Sequence, residues 1–185
     1  MPSRELLTRH PLEIATAALV GIAVWRLGAT AELPAVLAFI VGGMLLSAID
    51  LKVRRLPTRI VYTTLAAVTV GLVFASIVEQ RWVPLATAVA GAIVFSNAFF
   101  LVWLFATKYA GMVVLGLGDV RLAALLGMLL GWYGLPFVLY GAAAGHVLAL
   151  AVVAVVYVRR REVQLSQAFG PPLLAGALLV VLIGA

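Results

Sequence analysis

Residues 33–51 read LPAVLAFIVGGMLLSAIDL, an apolar run free of charge until it ends at Asp50. A helix crosses the hydrocarbon core of a bilayer with about 20 such residues, so this stretch reads as a membrane span. Its terminal carboxylate is the anomaly, because desolvating an ionised carboxyl group is expensive unless a partner, water or a proton relieves it. The chain contains one other aspartate, Asp119, and it also stands beside a long apolar run. Two such residues, each in a distinctive local motif, point to chemistry in which a proton is shared.

Working outward, composition sets the class. Of 185 residues 65% are hydrophobic and 11% charged, and the mean hydropathy is +1.18, which excludes a soluble domain of this size. Seven spans are expected, at Leu12 to Leu27, Leu33 to Leu51, Arg59 to Val78, Trp82 to Ala106, Met112 to Trp132, Gly134 to Val158 and Phe169 to Gly184. At about 20 residues each they occupy roughly 140 positions and leave only short connections. The fold class is therefore an all-α polytopic membrane helix bundle. It is expected to form a single integral membrane domain over residues 1–185, with an extra N-terminal helix at about 12–27 and a motif-bearing core at about 33–184. Pro34, Pro84 and Pro136 fall in first turns, where a missing N–H is harmless, and Pro57 interrupts the chain between spans two and three. Trp25, Trp82, Trp132, Tyr109 and Tyr133 fall near span ends, as interfacial aromatic residues do. Gly111, Gly116 and Gly118 could leave the first turns of span five unwound.

Charge gives an orientation. Arg4, Arg9, Lys52, Arg54, Arg55, Arg59, Lys108, Arg121, Arg159, Arg160 and Arg161 collect on one side of the expected topology, and only Arg26 and Arg81 on the other. By the positive-inside rule the N-terminus is cytosolic, the C-terminus lies outside, and both aspartates are on the cytosolic side of the membrane. The net charge of +6 then reports topology and contact with anionic lipid, not nucleic-acid binding. Arg4 and Arg9 ahead of an apolar stretch resemble a secretory signal, but Glu13 and Arg26 argue against one, so the first span is expected to be retained. With no cysteine, the chain has no disulfide framework, no Cys-ligated zinc and no thiol nucleophile.

Three segments carry candidate chemistry. The first, residues 47–58 (SAIDLKVRRLPT), ends an apolar span at Asp50, crosses a basic turn and stops at Pro57. Read alone, it could equally be an interfacial aspartate balancing a basic loop. The second, residues 115–132 (LGLGDVRLAALLGMLLGW), sets Gly116 and Gly118 directly before Asp119. Glycines there let the backbone open or another chain approach closely. Gly127 with Gly131, and Gly141 with Gly145, are more economically read as helix packing. Ser47 precedes Asp50 by three residues, so helical spacing sets its hydroxyl on the same face. The third segment, residues 168–176 (AFGPPLLAG), opens the last span.

Together these segments resemble the type IV prepilin peptidases, intramembrane aspartyl proteases of the GxGD group. GLGDVRL looks like their G-x-G-D-V-K-L signature, residues 50–57 like their first-aspartate motif, and Phe169-Gly170-Pro171 like the F-G-P opening of their last helix. The resemblance implies Asp50 and Asp119 as the catalytic pair, with Gly116, Gly118, Ser47, Pro57, Arg121, Gly170 and Pro171 as motif or substrate-positioning residues. It implies no cofactor and no metal. The substrate it implies is a prepilin or pseudopilin with a short cytosolic leader and an apolar helix in the bilayer. Family members often carry Pro-Asn where this chain has Pro57-Thr58, Lys for Arg121, and Pro-Phe for Pro171-Pro172. Many also carry an N-terminal cytosolic region with paired Cys-x-x-Cys motifs and N-methyltransferase activity, absent from these 185 residues, so a peptidase-only form is expected. Leaders of this family tend to be basic, and the basic cytosolic face does not attract them. Either anionic lipid intervenes, or an acidic residue of the mature substrate meets Arg121 or Arg59.

His146 in span six reads as an interhelical hydrogen-bonding residue or a proton relay, and Asn97 and Ser96 in span four similarly. Other readings of the carboxylates stay open. A presenilin-like protease would share GLGD, but wants Tyr-Asp at the first aspartate and a Pro-Ala-Leu segment, and neither occurs. A proton-coupled transporter would also place carboxylates in the membrane, but with inverted repeats that this chain does not show.

Overall fold

A computed structural model describes residues 3–53, 56–109, 116–160 and 169–184, with side chains left out at residues 3–11, 159 and 160. Among the described residues the chain forms seven helices and no strand: α1 Ser3–Leu27, α2 Leu33–Val53, α3 Thr58–Glu79, α4 Val83–Tyr109, α5 Leu117–Tyr133, α6 Leu135–Arg160 and α7 Gly170–Gly184. The expected all-α bundle is what the chain forms. Within a bilayer only a helix satisfies all of a segment's backbone donors and acceptors from its own residues, which dictates this outcome for such apolar runs. Among the described residues four helices, Leu33–Val53, Thr58–Glu79, Val83–Tyr109 and Leu135–Val158, are long and apolar enough to cross a membrane.

The element edges follow local chemistry. Pro34, Pro84 and Pro136 lie at the second position of α2, α4 and α6, and Pro57 caps α3 in an extended conformation. Helix α1 extends beyond its apolar part to Ser3, because a helix need not stop where a membrane does. The fifth helix begins at Leu117 instead of Met112, with Gly116 extended at its N-cap, and residues 112–115 lie outside the described residues. Trp25 and Tyr109 are exposed, as interfacial aromatics should be, whereas Trp132 is 8% exposed and packs into the core.

Helix α5 is the pillar of the bundle. An unbroken run from Leu125 to Trp132 is buried, and α3, α4, α6 and α7 all pack against it. A helix screened from lipid by its neighbours can be shorter than one that must meet lipid along its whole length. Small residues set these contacts. A methyl group added at Gly127 would collide with the backbone of Gly91, and one at Gly131 would lie 2.9 Å from the Cα of Ala88. Backbones this close gain dispersion contacts, the main attraction available between helices where lipid is as apolar as leucine. Gly145 likewise lies against Leu173 and Gly176. The glycines read as packing residues are packing residues.

The same contacts fix direction. Gly42 meets Thr64 while Gly71 meets Ala35, and Gly91 meets Gly127 while Ala88 meets Gly131, so α2 and α3, and α4 and α5, run antiparallel. Gly43 meets Leu174 and Asp50 meets Gly170, which runs α7 against α2 as well. The C-terminal end of α2 and the N-terminal ends of α3, α5 and α7 therefore share one end of the bundle.

Candidate active site

At that end, Asp50 occupies the last turn of α2 and is only 5% exposed. Its Oδ2 accepts a hydrogen bond of 3.1 Å from the backbone N–H of Gly170, the first residue of α7. A side chain from one helix thus caps the N-terminus of another, where unpaired N–H groups and the helix dipole both favour a carboxylate. Glycine leaves the carboxylate its place: a Cβ on residue 170 would lie 2.8 Å from Oδ2 of Asp50, and the carboxylate would have to shift. Pro171 and Pro172 follow and carry no N–H, while the N–H of Leu173 turns back to Phe169 O at 3.4 Å.

Asp119 sits in the first turn of α5 and is half-buried. Its Oδ2 accepts the N–H of Gly116 at 3.0 Å, and its own N–H donates to Gly116 O at 3.0 Å. This is the carboxylate half of a capping box, with no N-cap side chain to reciprocate because that residue is glycine. Asp50 at the end of α2 and Asp119 at the start of α5 stand at the same end of the bundle. The structure therefore brings together two carboxyl groups from different helices, each at a helix N-terminus.

The remaining predicted residues divide. Gly118 faces the turn before α3, where a Cβ would lie 3.1 Å from Cβ of Leu56. Arg121, one turn along α5, donates from Nη1 to Oγ1 of Thr58 at 2.9 Å across 63 residues. Pro57 joins these two contacts as the N-cap of α3. The α2–α3 turn is thus fastened to the start of α5 at Leu56 and Thr58, which lie within or beside the quoted motif yet were not singled out by sequence. The available signal was that Thr58 and Arg121 are both departures from the family pattern. Arg54 and Arg55 lie outside the described residues, as do Gly111 and residues 161–168.

Ser47 and Pro171 do not join the carboxylates directly. They flank an apolar cavity between α1, α2 and α7, and among the described residues Asp50 accepts its hydrogen bond from Gly170. His146 bonds within its own helix, Nδ1 to Ala142 O at 2.7 Å, and Asn97 does the same to Ile93 O at 2.8 Å. Ser96 also turns to Ile93 O. None of the three reaches the carboxylates through these bonds.

A helical membrane bundle that gathers two carboxyl groups from different helices at one end defines the class of this protein. The chain belongs to the type IV leader peptidase family, whose pattern it matches over residues 37–155, a range that includes both aspartates. It is 35% identical over 181 residues to a prepilin leader peptidase/N-methyltransferase of Pseudomonas putida, covering 95% of this chain and 59% of that protein. A protein of the same name from Klebsiella pneumoniae is 35% identical over 130 residues, covering 69% of this chain and 54% of its own length. One from Pectobacterium carotovorum subsp. carotovorum is 37% identical over 136 residues, 72% of this chain and 45% of that protein. The chain thus spans about half the length of the curated relatives it matches. No solved structure matches it.

Proposed function

We propose that this chain is an intramembrane aspartyl endopeptidase that removes the short cytosolic leader from type IV prepilin or pseudopilin precursors, with Asp50 and Asp119 as its catalytic pair. One observation carries the reading: in a member of the leader peptidase family, the two aspartates of the chain come from separate helices to one end of the bundle, each held by a backbone N–H at a helix N-terminus. Two carboxyl groups so placed cannot both ionise cheaply, so one holds a proton while the other stays basic. The basic carboxylate takes a proton from water as the water oxygen attacks the scissile carbonyl carbon. The protonated partner gives its proton to the leaving nitrogen as the C–N bond breaks. The titration belongs to the pair and not to either residue.

Seven spans, a cytosolic N-terminus and a cytosol-facing site in the inner membrane complete this reading, supported by the distribution of basic residues. Lys52, Arg59, Lys108 and Arg121 belong to the carboxylate end of the bundle, and Arg26 and Arg81 to the other. Residues 1–185 act as one peptidase unit in which α1 is an addition to the core. Arg121 and Pro57 hold the pair in register, Gly170 makes room for the Asp50 carboxylate, Gly116 donates its N–H to Asp119, and Gly118 lets the α2–α3 turn approach α5 at Leu56. A proton-coupled transporter gains no support from the fold or from the relatives. The test is cleavage of a prepilin precursor by the purified chain in detergent or liposomes. Release of the leader by the parent, and none by Asp50→Asn or Asp119→Asn variants that remain folded and membrane-inserted, is the expected result. Cleavage at a near-parental rate by either variant overturns it.

A further inference from the structure

The face of α7 beyond Gly170 is not fully covered by the rest of the chain. Between α2 and α7 lies a cavity of about 440 Å³, walled on its third side by Leu19 of α1. Its lining is apolar apart from Ser47. Along α2 it runs through Ile40, Gly43 and Ser47, and the next turn brings Asp50. Along α7 it follows Pro171, Ala175, Leu179 and Ile183, positions spaced i, i+4, i+8 and i+12. Leu179 is 46% exposed and Ile183 69% exposed. One end of the groove thus lies a single helical turn from a candidate catalytic carboxylate. At the other end Arg26 of α1 closes over α7, donating from Nε to Leu182 O at 2.9 Å and from Nη2 to Ile183 O at 3.4 Å. Between Pro171 and Ile183 the groove is about 18 Å long at 1.5 Å per residue.

We propose that this groove seats the apolar segment of the substrate that adjoins the scissile bond, as a helix of about a dozen residues laid along α2 and α7. The inference rests on the peptidase reading and adds where the substrate lies. A peptide bond delivered to carboxylates at the end of apolar spans must bring its membrane-side flank along a surface in the bilayer. Of the two grooves that begin within a helical turn of Asp50, this one continues along the length of α7. A second groove, lined by Leu148, Val152 and Pro172 among others, also begins beside Leu51, but it leaves α7 after Ala175. A helix-spaced stripe on α7, with the small, exposed Ala175 admitting close approach, suits an apolar helix.

Because the chain contains no cysteine, single cysteines can be introduced at Ala175, Leu179 and Ile183 without a background. Each would be oxidatively coupled, in the Asp119→Asn enzyme, to a precursor carrying one cysteine at successive positions of its apolar segment. Coupling should be ordered: Ala175 with positions next to the scissile bond, Ile183 with positions about a dozen residues further on. In the otherwise unaltered enzyme, Ala175→Trp should raise KM for the full precursor about tenfold and leave cleavage of a water-soluble leader peptide without an apolar segment unchanged. Cleavage by the parent enzyme with coupling confined to cysteines at Leu148 or Val152, or with a lipid retained in the groove and no coupling, overturns the groove and leaves the peptidase standing. Failure of the parent to cleave any precursor removes the peptidase reading itself.

Discussion

Asp50 is bonded to a backbone N–H 120 residues away, and Asp119 to one three residues away. The first is buried and tied to the meeting of two helices; the second is half-exposed and tied to the start of its own. The geometry of Asp119 therefore survives any motion that leaves the first turn of α5 intact. That of Asp50 depends on α2 and α7 remaining together. One carboxylate reports local structure and the other tertiary structure, so their distance is set mainly by how α7 and the α2–α3 turn are held.

Removing either carboxyl group tests the pair at its strongest. Asp50→Asn and Asp119→Asn are each expected to lower kcat by about 10³-fold or more, and the double variant to be no worse than either, because a proton-sharing unit fails as a whole. Additive losses would break the idea of one unit. In the parent, the rate should fall at acid pH, where the basic carboxylate takes a proton, and at alkaline pH, where the shared proton is lost. A rate that rises monotonically with pH would remove the requirement for a protonated partner.

The contrast between the two settings is sharpened by their glycines. Gly170→Ala places a Cβ 2.8 Å from Oδ2 of Asp50, so the carboxylate must move, whereas Gly116→Ala places one at 3.5 Å from Oδ2 of Asp119, an ordinary contact. Displacement of a reacting group by about 1 Å costs roughly 10²-fold, so Gly170→Ala should lose about that much while Gly116→Ala loses only a few-fold. Equal losses in a cleavage assay, with both variants folded, would erase the distinction.

The clasp at Arg121 and Thr58 should matter less. Arg121→Lys or Thr58→Asn alone should cost roughly three- to tenfold, as expected for about 1 kcal/mol of hydrogen bonding. The double variant, which carries at both positions the residues that the family resemblance implies, should recover most of the loss. A double-mutant cycle with no interaction between the sites would show that the contact does not register the carboxylates. Smallest of all, Glu79→Gln should leave cleavage within about twofold, since the residue ends α3 at the far end of the bundle and meets only a long ion pair with Arg81 at 3.8 Å among the described residues.

Much of this was legible in the sequence. Helix positions followed from apolar runs punctuated by Pro34, Pro57, Pro84 and Pro136, because hydrocarbon forces helix on any such segment. Both aspartates and the Gly170–Pro171 segment could be named from motifs. What could not be read was facing. The membrane helices are apolar on every side, so no stripe marks which face turns inward. That is why Trp132 was expected at an interface and lies in the core, and why His146 and Asn97 drew expectations of bonds between helices yet turn to their own carbonyls. The partnerships of Asp50 with Gly170 and Arg121 with Thr58 cross 120 and 63 residues, distances over which a local pattern carries no information.

The paired prolines that open α7 bear on how many ways Asp50 can sit. An ordinary helix presents several neighbouring N–H groups at its N-terminus, and a carboxylate arriving from elsewhere can exchange among them at little cost. Here Pro171 and Pro172 delete two of those positions, and Leu173 bonds back to Phe169. Gly170 is left as the docking point, so the carboxylate arrives with few alternative states to sample. The two rings thereby reduce the configurational freedom of a residue they do not bond, and replacing either by alanine would widen the range of positions of Asp50 without removing any contact that Asp50 makes.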